Sequence, residues 1–362
     1  MLVHPLRPAE LPVVPPAEPR IEPKVAVLLN ANARKVTDKV IRSLSHVVPA
    51  EDLFVSRTLL DARRIAQTVV DRRYTVVFTG GGDGTFIGFL NEIHKQLELR
   101  RRYFPQTTPR FGVLKLGTGN GLSALVNASP LRGDGILDDV LRARAGEVPG
   151  YRALDLIEID GKRTHFAGLG VDGKLLNDYI WVKENLGRGA FSRVLTGPGG
   201  YFTSVAFKTV PHYFAHSTLV ECEVVNGHHA AYKLDADGSV TAEFGPGDTL
   251  FRGKLMMCAA GTIPFYGFNF KMFPFAGKRP GTMHLRLAHV TAAEVLANLG
   301  RLWKGRWFNE RIHDFYVRDV TVHFARPMPF QIGGDAEGYR DQLRMRVSDE
   351  PIQLVDFTGT VN

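Results

Sequence analysis

Between residues 24 and 145, short apolar runs alternate with segments whose apolar residues have helical spacing. The apolar runs lie at 24–29, 53–56, 74–79 and 111–116 and are typical of strands that are buried on both faces. Helices are predicted from the loop at Asn30 through residue 46 and, with Asp61 as the N-cap, over 62–71. This alternation predicts a parallel sheet with flanking helices, whose ligands bind beyond the carboxyl ends of the strands.

From residue 151 the pattern changes to short strands of alternating polarity, separated by Gly, Asp-Gly and Asn-Gly turns. Such a pattern predicts an antiparallel β-sandwich, interrupted by helical stretches within 172–209 and by a helix at 291–303. The fold class is therefore an N-terminal α/β domain, 24–150, followed by a C-terminal antiparallel β-sandwich domain, 151–335. Seven prolines in residues 1–23 predict an extended arm. The predicted strands of the second domain are 154–159, 163–166, 218–225, 231–234, 239–244, 255–260 and 283–287.

The net charge of the chain indicates which kinds of partner it is expected to bind. The formal net charge is +8, which favours anionic partners such as nucleotides or acidic lipid headgroups. Nucleic acid is not expected, because the chain has no helix-turn-helix, RRM or zinc-finger pattern. Without a membrane-length apolar run or a signal-peptide core, a cytoplasmic protein is expected. Cys222 and Cys258 lack the spacing of a zinc site, and buried free thiols are expected.

Two Gly-rich turns follow the strands at 74–79 and 111–116. The first is Gly80-Gly81-Gly82-Asp83-Gly84-Thr85 and the second is Gly117-Thr118-Gly119-Asn120-Gly121. Glycine lets the backbone approach a ligand, and the following helix start offers free N–H groups to anions, so both turns suit phosphate. A carboxylate at Asp83 would repel phosphate unless Mg²⁺ stood between them. Neither turn has P-loop or Rossmann spacing, and tight strand-to-helix turns without a ligand are the alternative interpretation.

Gly81–Thr85 and Leu116-Gly117-Thr118-Gly119-Asn120 together resemble the two signature motifs of the diacylglycerol and sphingosine lipid kinases, a family related to the NAD kinases and phosphofructokinases. The resemblance implies an ATP-dependent kinase that phosphorylates a hydroxyl of diacylglycerol, a sphingoid base or a related lipid at a membrane surface. It also implies a lipid-substrate role for the second domain and a C-terminal tail, 336–362, that returns to the first domain. A homodimer is one option for its assembly.

The resemblance also implies roles for individual residues. Asp83 and Asp155 would act on Mg²⁺, although by its sequence alone Asp155 is a half-exposed aspartate on a strand. In Gly333-Gly334-Asp335-Ala336-Glu337-Gly338, Asp335 would be the general base and Glu337 its orienting partner. By itself that segment could equally be a solvated turn or a weak cation loop. The nucleotide-binding residues would be Asn30, Arg34, Thr58, Gly81, Gly82, Asp83, Gly84, Thr85, Gly117, Thr118 and Asn120.

The chain departs from the family pattern in places. Gly88 stands where the family has glutamate, and the second motif lacks its proline. Pro280-Gly281 replaces an Asp-Gly turn that holds a structural Mg²⁺ in some bacterial members, so that site is expected to be absent. An NAD kinase-like small-molecule kinase and an inactive nucleotide- or lipid-binding homologue are the alternative functions. The aromatic segment 265–275 suits either core packing or contact with a lipid surface.

Overall fold

A computed structural model describes residues 23–117, 121–170, 219–267 and 270–358. Nearly all of the predicted Pro-rich arm and the helical stretches predicted within 172–209 lie outside the described residues. The described part contains two sheets, and the predicted fold class, an α/β part followed by an antiparallel part, is confirmed.

The first sheet has six strands in the order β2-β1-β3-β4-β18-β5. Neighbours from β2 through β18 run parallel, and only the edge strand β5 is antiparallel. Its strands are β1 (Val25–Asn30), β2 (Leu53–Ser56), β3 (Val76–Gly81), β4 (Arg110–Lys115), β5 (Gly150–Leu154) and β18 (Ile352–Asp356), and its helices are α1 (Asp38–Ser45), α2 (Leu59–Asp71), α3 (Asp83–Arg101), α4 (Gly121–Leu125) and α5 (Gly135–Arg144).

Helices cover both faces of this sheet. Along β1, Val25 and Val27 pack in a core cluster with residues of α1 and α5, whereas Ala26 and Leu28 pack in a second cluster with residues of α2 and α3. Successive strand residues point to opposite faces, so burial of both sets explains why β1 is apolar throughout. The helices thus leave the carboxyl edge of β1–β4 to the loops.

The second sheet contains twelve antiparallel strands whose side chains share one large core cluster. Its strands are β6 (Ile157–Ile159), β7 (Lys162–Thr164), β8 (Phe166–Gly170), β9 (Val220–Asn226), β10 (Ala231–Leu234), β11 (Val240–Phe244), β12 (Thr249–Leu255), β13 (Met257–Gly261), β14 (Met283–Ala288), β15 (Ile312–Val317), β16 (Asp319–Ile332) and β17 (Asp335–Val347). Two short helices, α6 (Ala292–Ala297) and α7 (Leu299–Trp303), follow β14.

Burial decides two of the sequence interpretations. Phe270, Phe273 and Phe275 are buried, which confirms core packing for that part of the aromatic segment. Cys222 and Cys258 are both buried and neither forms a disulfide, as predicted. Within the described residues, every helix is too short or too polar to cross a lipid bilayer.

Candidate active site

The loops that follow β1 and β2 are joined by hydrogen bonds at the carboxyl edge of the first sheet. Ala31 N donates to Ser56 O at 2.9 Å, and Asn32 Nδ2 donates to Arg57 O at 2.8 Å. Arg34 lies exposed on the first of these loops. Parallel strands bring the ends of β1 and β2 to the same edge, so these loops surround one region.

The predicted nucleotide residues Asn30 and Thr85 contact each other in this region. Asn30 Nδ2 donates to Thr85 Oγ1 at 3.0 Å, while Asn30 Oδ1 accepts from Asn32 N at 3.0 Å. Gly81 lies directly under Thr85, because a Cβ on Gly81 would be 2.6 Å from Thr85 Cβ. The glycine therefore lets the start of α3 fold back against the end of its strand.

The two Gly-rich turns pack backbone against backbone. A Cβ on Gly117 would lie 2.6 Å from Gly82 N and 2.7 Å from Gly81 O, and nearer still to Gly82 Cα. Helix α3 begins at Asp83, and Gly82 at its N-cap supplies no side-chain acceptor. The N–H groups of the first helical turn are therefore available to an anion, and phosphate binding at this turn stays a prediction.

Asp83 links the first Gly-rich turn to the helix after the second. Its carboxylate accepts N–H groups of Gly121 at 2.8 Å and Leu122 at 3.3 Å. Burial raises the pKa of Asp83 to about 6, although these two amides act in the opposite direction. The residue thus fixes the start of α4, and each carboxylate oxygen keeps a lone pair for a further partner.

Thr58 is the N-cap of α2, so the prediction that Asp61 caps this helix is wrong. Thr58 Oγ1 accepts from Asp61 N at 3.1 Å, and Asp61 Oδ2 accepts from Thr58 N at 2.9 Å. These reciprocal bonds form a capping box, in which the acidic residue occupies the third helical position. The predicted contact of Thr58 with phosphate stays a prediction.

Asp155 does not lie on a strand, contrary to the sequence prediction. The predicted strand 154–159 divides into β5 and β6, and Asp155 lies in the connection between the two sheets. Its carboxylate accepts Gly281 N at 2.7 Å, and it thereby contacts the turn before β14. The residues on either side, Leu154 and Leu156, are both buried in one core cluster, which orients the aspartate away from that core.

Asp335 begins β17 and pairs with Ile332 across a two-residue hairpin turn. The turn residues Gly333 and Gly334 have φ values of 58° and 93°, which non-glycine residues rarely adopt. A Cβ on Gly333 would be 3.9 Å from a methyl carbon of Ile87, one turn into α3. The hairpin therefore reaches the helix that begins at the Gly-rich turn.

The two candidate catalytic carboxylates differ in their partners. Glu337 accepts from Lys162 Nζ at 2.6 Å. Asp335 is exposed to solvent, yet desolvation by neighbouring protein atoms raises its pKa, the negative charge of Glu337 raises it further, and Lys162 opposes both. A carboxylate with a raised pKa is a better proton acceptor than an ordinary surface aspartate.

Residues that the sequence interpretation did not single out connect Asp335 to Asp83. Gln331 is fully buried, and its side chain accepts from Gly334 N at 3.1 Å and donates to Tyr266 Oη at 2.5 Å. Phe265, next to Tyr266, lies 3.2 Å from the Cβ position of Gly121, whose N–H binds Asp83. A polar residue beside two glycines is the one sequence signal that could have identified Gln331.

The second motif is described only in part, and metal-binding groups of side chains can be assessed only among the described residues. Thr118, Gly119 and Asn120 of the second motif lie outside the described residues. Among the residues that are described, no group of three or more His, Cys, Asp or Glu side chains could hold a metal ion.

The part of the chain that contains both Gly-rich turns is similar to a known protein family. Residues 24–150 match the diacylglycerol kinase catalytic domain. The resemblance inferred from the two motifs is thus confirmed. None of the curated proteins matches the chain.

Solved structures agree with the fold over most of the chain. A diacylglycerol kinase from Bacillus anthracis str. Sterne has 13% sequence identity and a TM-score of 0.58, covering 93% of this chain and 98% of that chain. A second protein of that organism, provisionally assigned as a diacylglycerol kinase, has 14% identity and a TM-score of 0.62 with the same coverage. An NAD kinase from Archaeoglobus fulgidus in complex with ATP has 8% identity, a TM-score of 0.46, and coverage of 92% of this chain and 94% of that chain. The Bacillus structures share the α/β part and the antiparallel part.

Proposed function

We propose that the protein is an ATP-dependent lipid kinase that transfers the γ-phosphoryl group of ATP to a lipid hydroxyl. The match of residues 24–150 to the diacylglycerol kinase catalytic domain supports a kinase. The lipid class follows from the family resemblance, with diacylglycerol or a sphingoid base as the acceptor. The acceptor would be presented at a membrane surface.

One observation carries the proposal, namely the contact chain between the Gly-rich turns and the Asp335 hairpin. It runs from Asp83 through Gly121 and the segment 263–266 to Gln331 and Gly334. Phosphoryl transfer needs the acceptor, the γ-phosphate and a proton acceptor within a few ångströms of one another. Residues about 250 positions apart in sequence meet that need only if the fold joins them in this way.

The nucleotide phosphates would lie at the free N–H groups of the first turn of α3, beside Gly82 and Gly117. Asp83 fits a neighbouring Mg²⁺, because its partly buried carboxylate has two amide donors and contacts no cationic side chain of the described residues, and its raised pKa reflects that desolvation. A single carboxylate is sufficient when phosphate oxygens and water complete the coordination. Bound Mg²⁺ would supply charge neutralisation on the phosphates.

In the proposed reaction the lipid hydroxyl oxygen bonds to the γ-phosphorus as the bond from phosphorus to the β–γ bridging oxygen breaks. Asp335 accepts the hydroxyl proton, and the products are a phosphorylated lipid and ADP. The pKa of Asp335 is raised by desolvation and by Glu337, which suits a base of this kind. Glu337, held by Lys162, would fix the orientation of the loop.

Asp335→Asn tests the proposal, with Glu337→Gln as the matched control two residues away. Asp335→Asn should lower kcat by about 10²- to 10⁴-fold and leave the ATP dissociation constant unchanged. Glu337→Gln should be milder, since water can replace part of an orienting group. The measurement is transfer from labelled ATP to a panel of diacylglycerol, sphingosine and NAD, with and without Mg²⁺.

The panel also separates the alternatives. Transfer to NAD but to no lipid would favour a small-molecule kinase, and binding of ATP without transfer to any acceptor would favour an inactive homologue. Normal lipid turnover by Asp335→Asn would show that this aspartate is not the base.

A further inference from the structure

Two neighbouring leucines are exposed at the rim of the candidate site. Leu59 is 80% exposed and Leu60 is 54% exposed, and they are the first two residues of α2. Only two residues separate the end of β2 at Ser56 from the start of α2, so this turn lies at the carboxyl edge of the first sheet. Exposed leucines paired in this way have no role in the core of the domain.

The surroundings of the leucines are basic. Arg57, Arg63 and Arg64 flank them and are all exposed, and residues 57–64 are called the α2 tip below. The carboxylate of Asp61, the one acidic residue in the tip, accepts the N–H groups of Arg57 and Thr58. Apolar side chains among cations suit an anionic lipid surface, where leucine enters the interface and arginine contacts the headgroups.

A second exposed apolar cluster lies at the other end of α3, at Leu99, Tyr103 and Phe104. Helix α3 has 19 residues, so its last turn is about 28 Å from Asp83. Arginines are engaged at both ends, because Arg100 pairs with Asp71 and Arg63 of the α2 tip pairs with Glu92 at 3.4 Å, so charge alone does not distinguish them. A bilayer at that end would be remote from the Gly-rich turns, whereas the α2 tip lies at the same edge as they do.

We propose that the α2 tip docks the protein on an anionic lipid bilayer, with Leu59 and Leu60 inserted at the level of the headgroups. This inference rests on the proposed function, since a kinase acting on a soluble acceptor needs no bilayer at this edge. Docking there would face the loops after β1 and β2 toward the membrane and give a lipid hydroxyl a short path to the site. The arginines would make the attachment sensitive to salt, because screening weakens attraction between exposed charges and lipid.

The test is sedimentation of the full chain with vesicles made of equal parts phosphatidylcholine and phosphatidylglycerol. The double substitution Leu59→Ser and Leu60→Ser should weaken partitioning by about tenfold or more, given the apolar area lost. Leu99→Ser is the matched control and should bind as the unmodified protein does. Vesicles of phosphatidylcholine alone should bind more weakly than the mixed vesicles. Since both leucines at 59 and 60 are exposed, the double substitution should not alter thermal unfolding.

A fluorescent label gives a second measurement that is independent of affinity. Cys222 and Cys258 are buried, and burial raises the pKa of Cys222 to about 12, so a thiol introduced by Leu59→Cys should label selectively. A polarity-sensitive dye at position 59 should shift to the blue on addition of mixed vesicles, and a dye introduced by Leu99→Cys should not. A response at position 99 alone would overturn the proposal in favour of the opposite end.

If the α2 tip bound a partner other than a bilayer, the same substitutions would give different results. If the double substitution left vesicle binding intact and converted a dimer to a monomer, the leucines would face a second copy, and the proposal would be wrong. Because vesicle binding is measured without ATP, its result does not depend on whether the protein phosphorylates lipid. Docking as expected, with no lipid phosphorylated, would refute the proposed function and leave the docking surface standing. If lipid were phosphorylated but the leucine substitutions left vesicle binding unchanged, the docking proposal would be refuted and the proposed function would stand.

Discussion

Replacing Gly117 by alanine tests whether the two Gly-rich turns form one phosphate site. The added Cβ would lie 2.6 Å from Gly82 N and 2.7 Å from Gly81 O. Ordinary contacts between nonbonded heavy atoms are about 3.5–4.0 Å, so the turns must separate by about 1 Å. All of the opposing atoms belong to the backbone, and no side-chain rotation can relieve the overlap.

The cost follows from this geometry. Overpacking a tightly packed position costs about 1–3 kcal/mol, and an obstacle made of backbone favours the upper end of that range. Displacing the N–H groups at the start of α3 by about 1 Å should lower ATP affinity or turnover by about 10²-fold. Both effects arise from one displacement, so they should appear together.

The assays are urea unfolding and titration with ATP. Gly84→Ala is the matched control, because nothing lies within 4 Å of its Cβ position and alanine favours helix by about 0.5–1 kcal/mol. Gly84→Ala should therefore be as stable as the unmodified protein or slightly more stable. If Gly117→Ala unfolded at the same urea concentration as Gly84→Ala and bound ATP as well as the unmodified protein does, the direct packing of the two turns would be refuted.

Three further substitutions test other parts of the site. Burial raises the pKa of Asp83 from 3.8 to about 6, so its contribution to folding is largest at low pH. In urea unfolding, the stability of the unmodified protein relative to Asp83→Asn should therefore fall by about 1–3 kcal/mol between pH 4 and pH 7. A difference that stayed constant with pH would contradict the burial argument. Gly88→Glu restores the glutamate of the family at an exposed helical position, where no atom lies within 4 Å of the added Cβ. It should raise the free energy of unfolding by up to about 1 kcal/mol, because glycine is a poor helix former. A lower melting temperature would show that the space is occupied. Gln331→Leu removes the side chain that binds Gly334 N and Tyr266 Oη, so it should lower kcat and reduce the free energy of unfolding by about 1–3 kcal/mol. Gln331→Glu keeps an acceptor for Gly334 N and should retain more activity than Gln331→Leu in the same labelled-ATP assay.

Strands β1 to β4 of the first sheet could be predicted from the sequence because their short apolar runs alternate with helical segments, whereas β5 and β18 were not predicted as strands of this sheet. Strand β2 was predicted at 53–56 and observed at Leu53–Ser56, and β1 differs from its prediction by one residue. The helix cap was harder to predict, since Thr58 and Asp61 are both good capping residues. Reciprocal hydrogen bonds decide between them, and these depend on the geometry of the turn.

The long hairpin of β16 and β17 could not be predicted in the same way. Much of β17 is polar and exposed, and β16 contains Pro327 and Pro329 near irregularities in its pairing. Such strands are specified by their partners rather than by periodicity. For the same reason the contact of Gln331 with Tyr266, 65 residues away, has no local signal.

The approach of Asp335 to the Gly-rich turns does not depend on one contact. Asn91, two turns along α3 from Asp83, accepts Arg163 N at 2.8 Å and donates to Arg163 O at 2.8 Å, so a side chain of the first sheet's helix pairs with the backbone of β7. The hairpin turn at Gly333 meets α3 near Ile87, and Phe265 packs against Gly121. These three contacts are spread around the beginning of α3 and the helix after the second turn. The relative position of the two sheets is therefore fixed by more than one contact, so in the proposed function the Asp335 hairpin is already held in place before an acceptor binds.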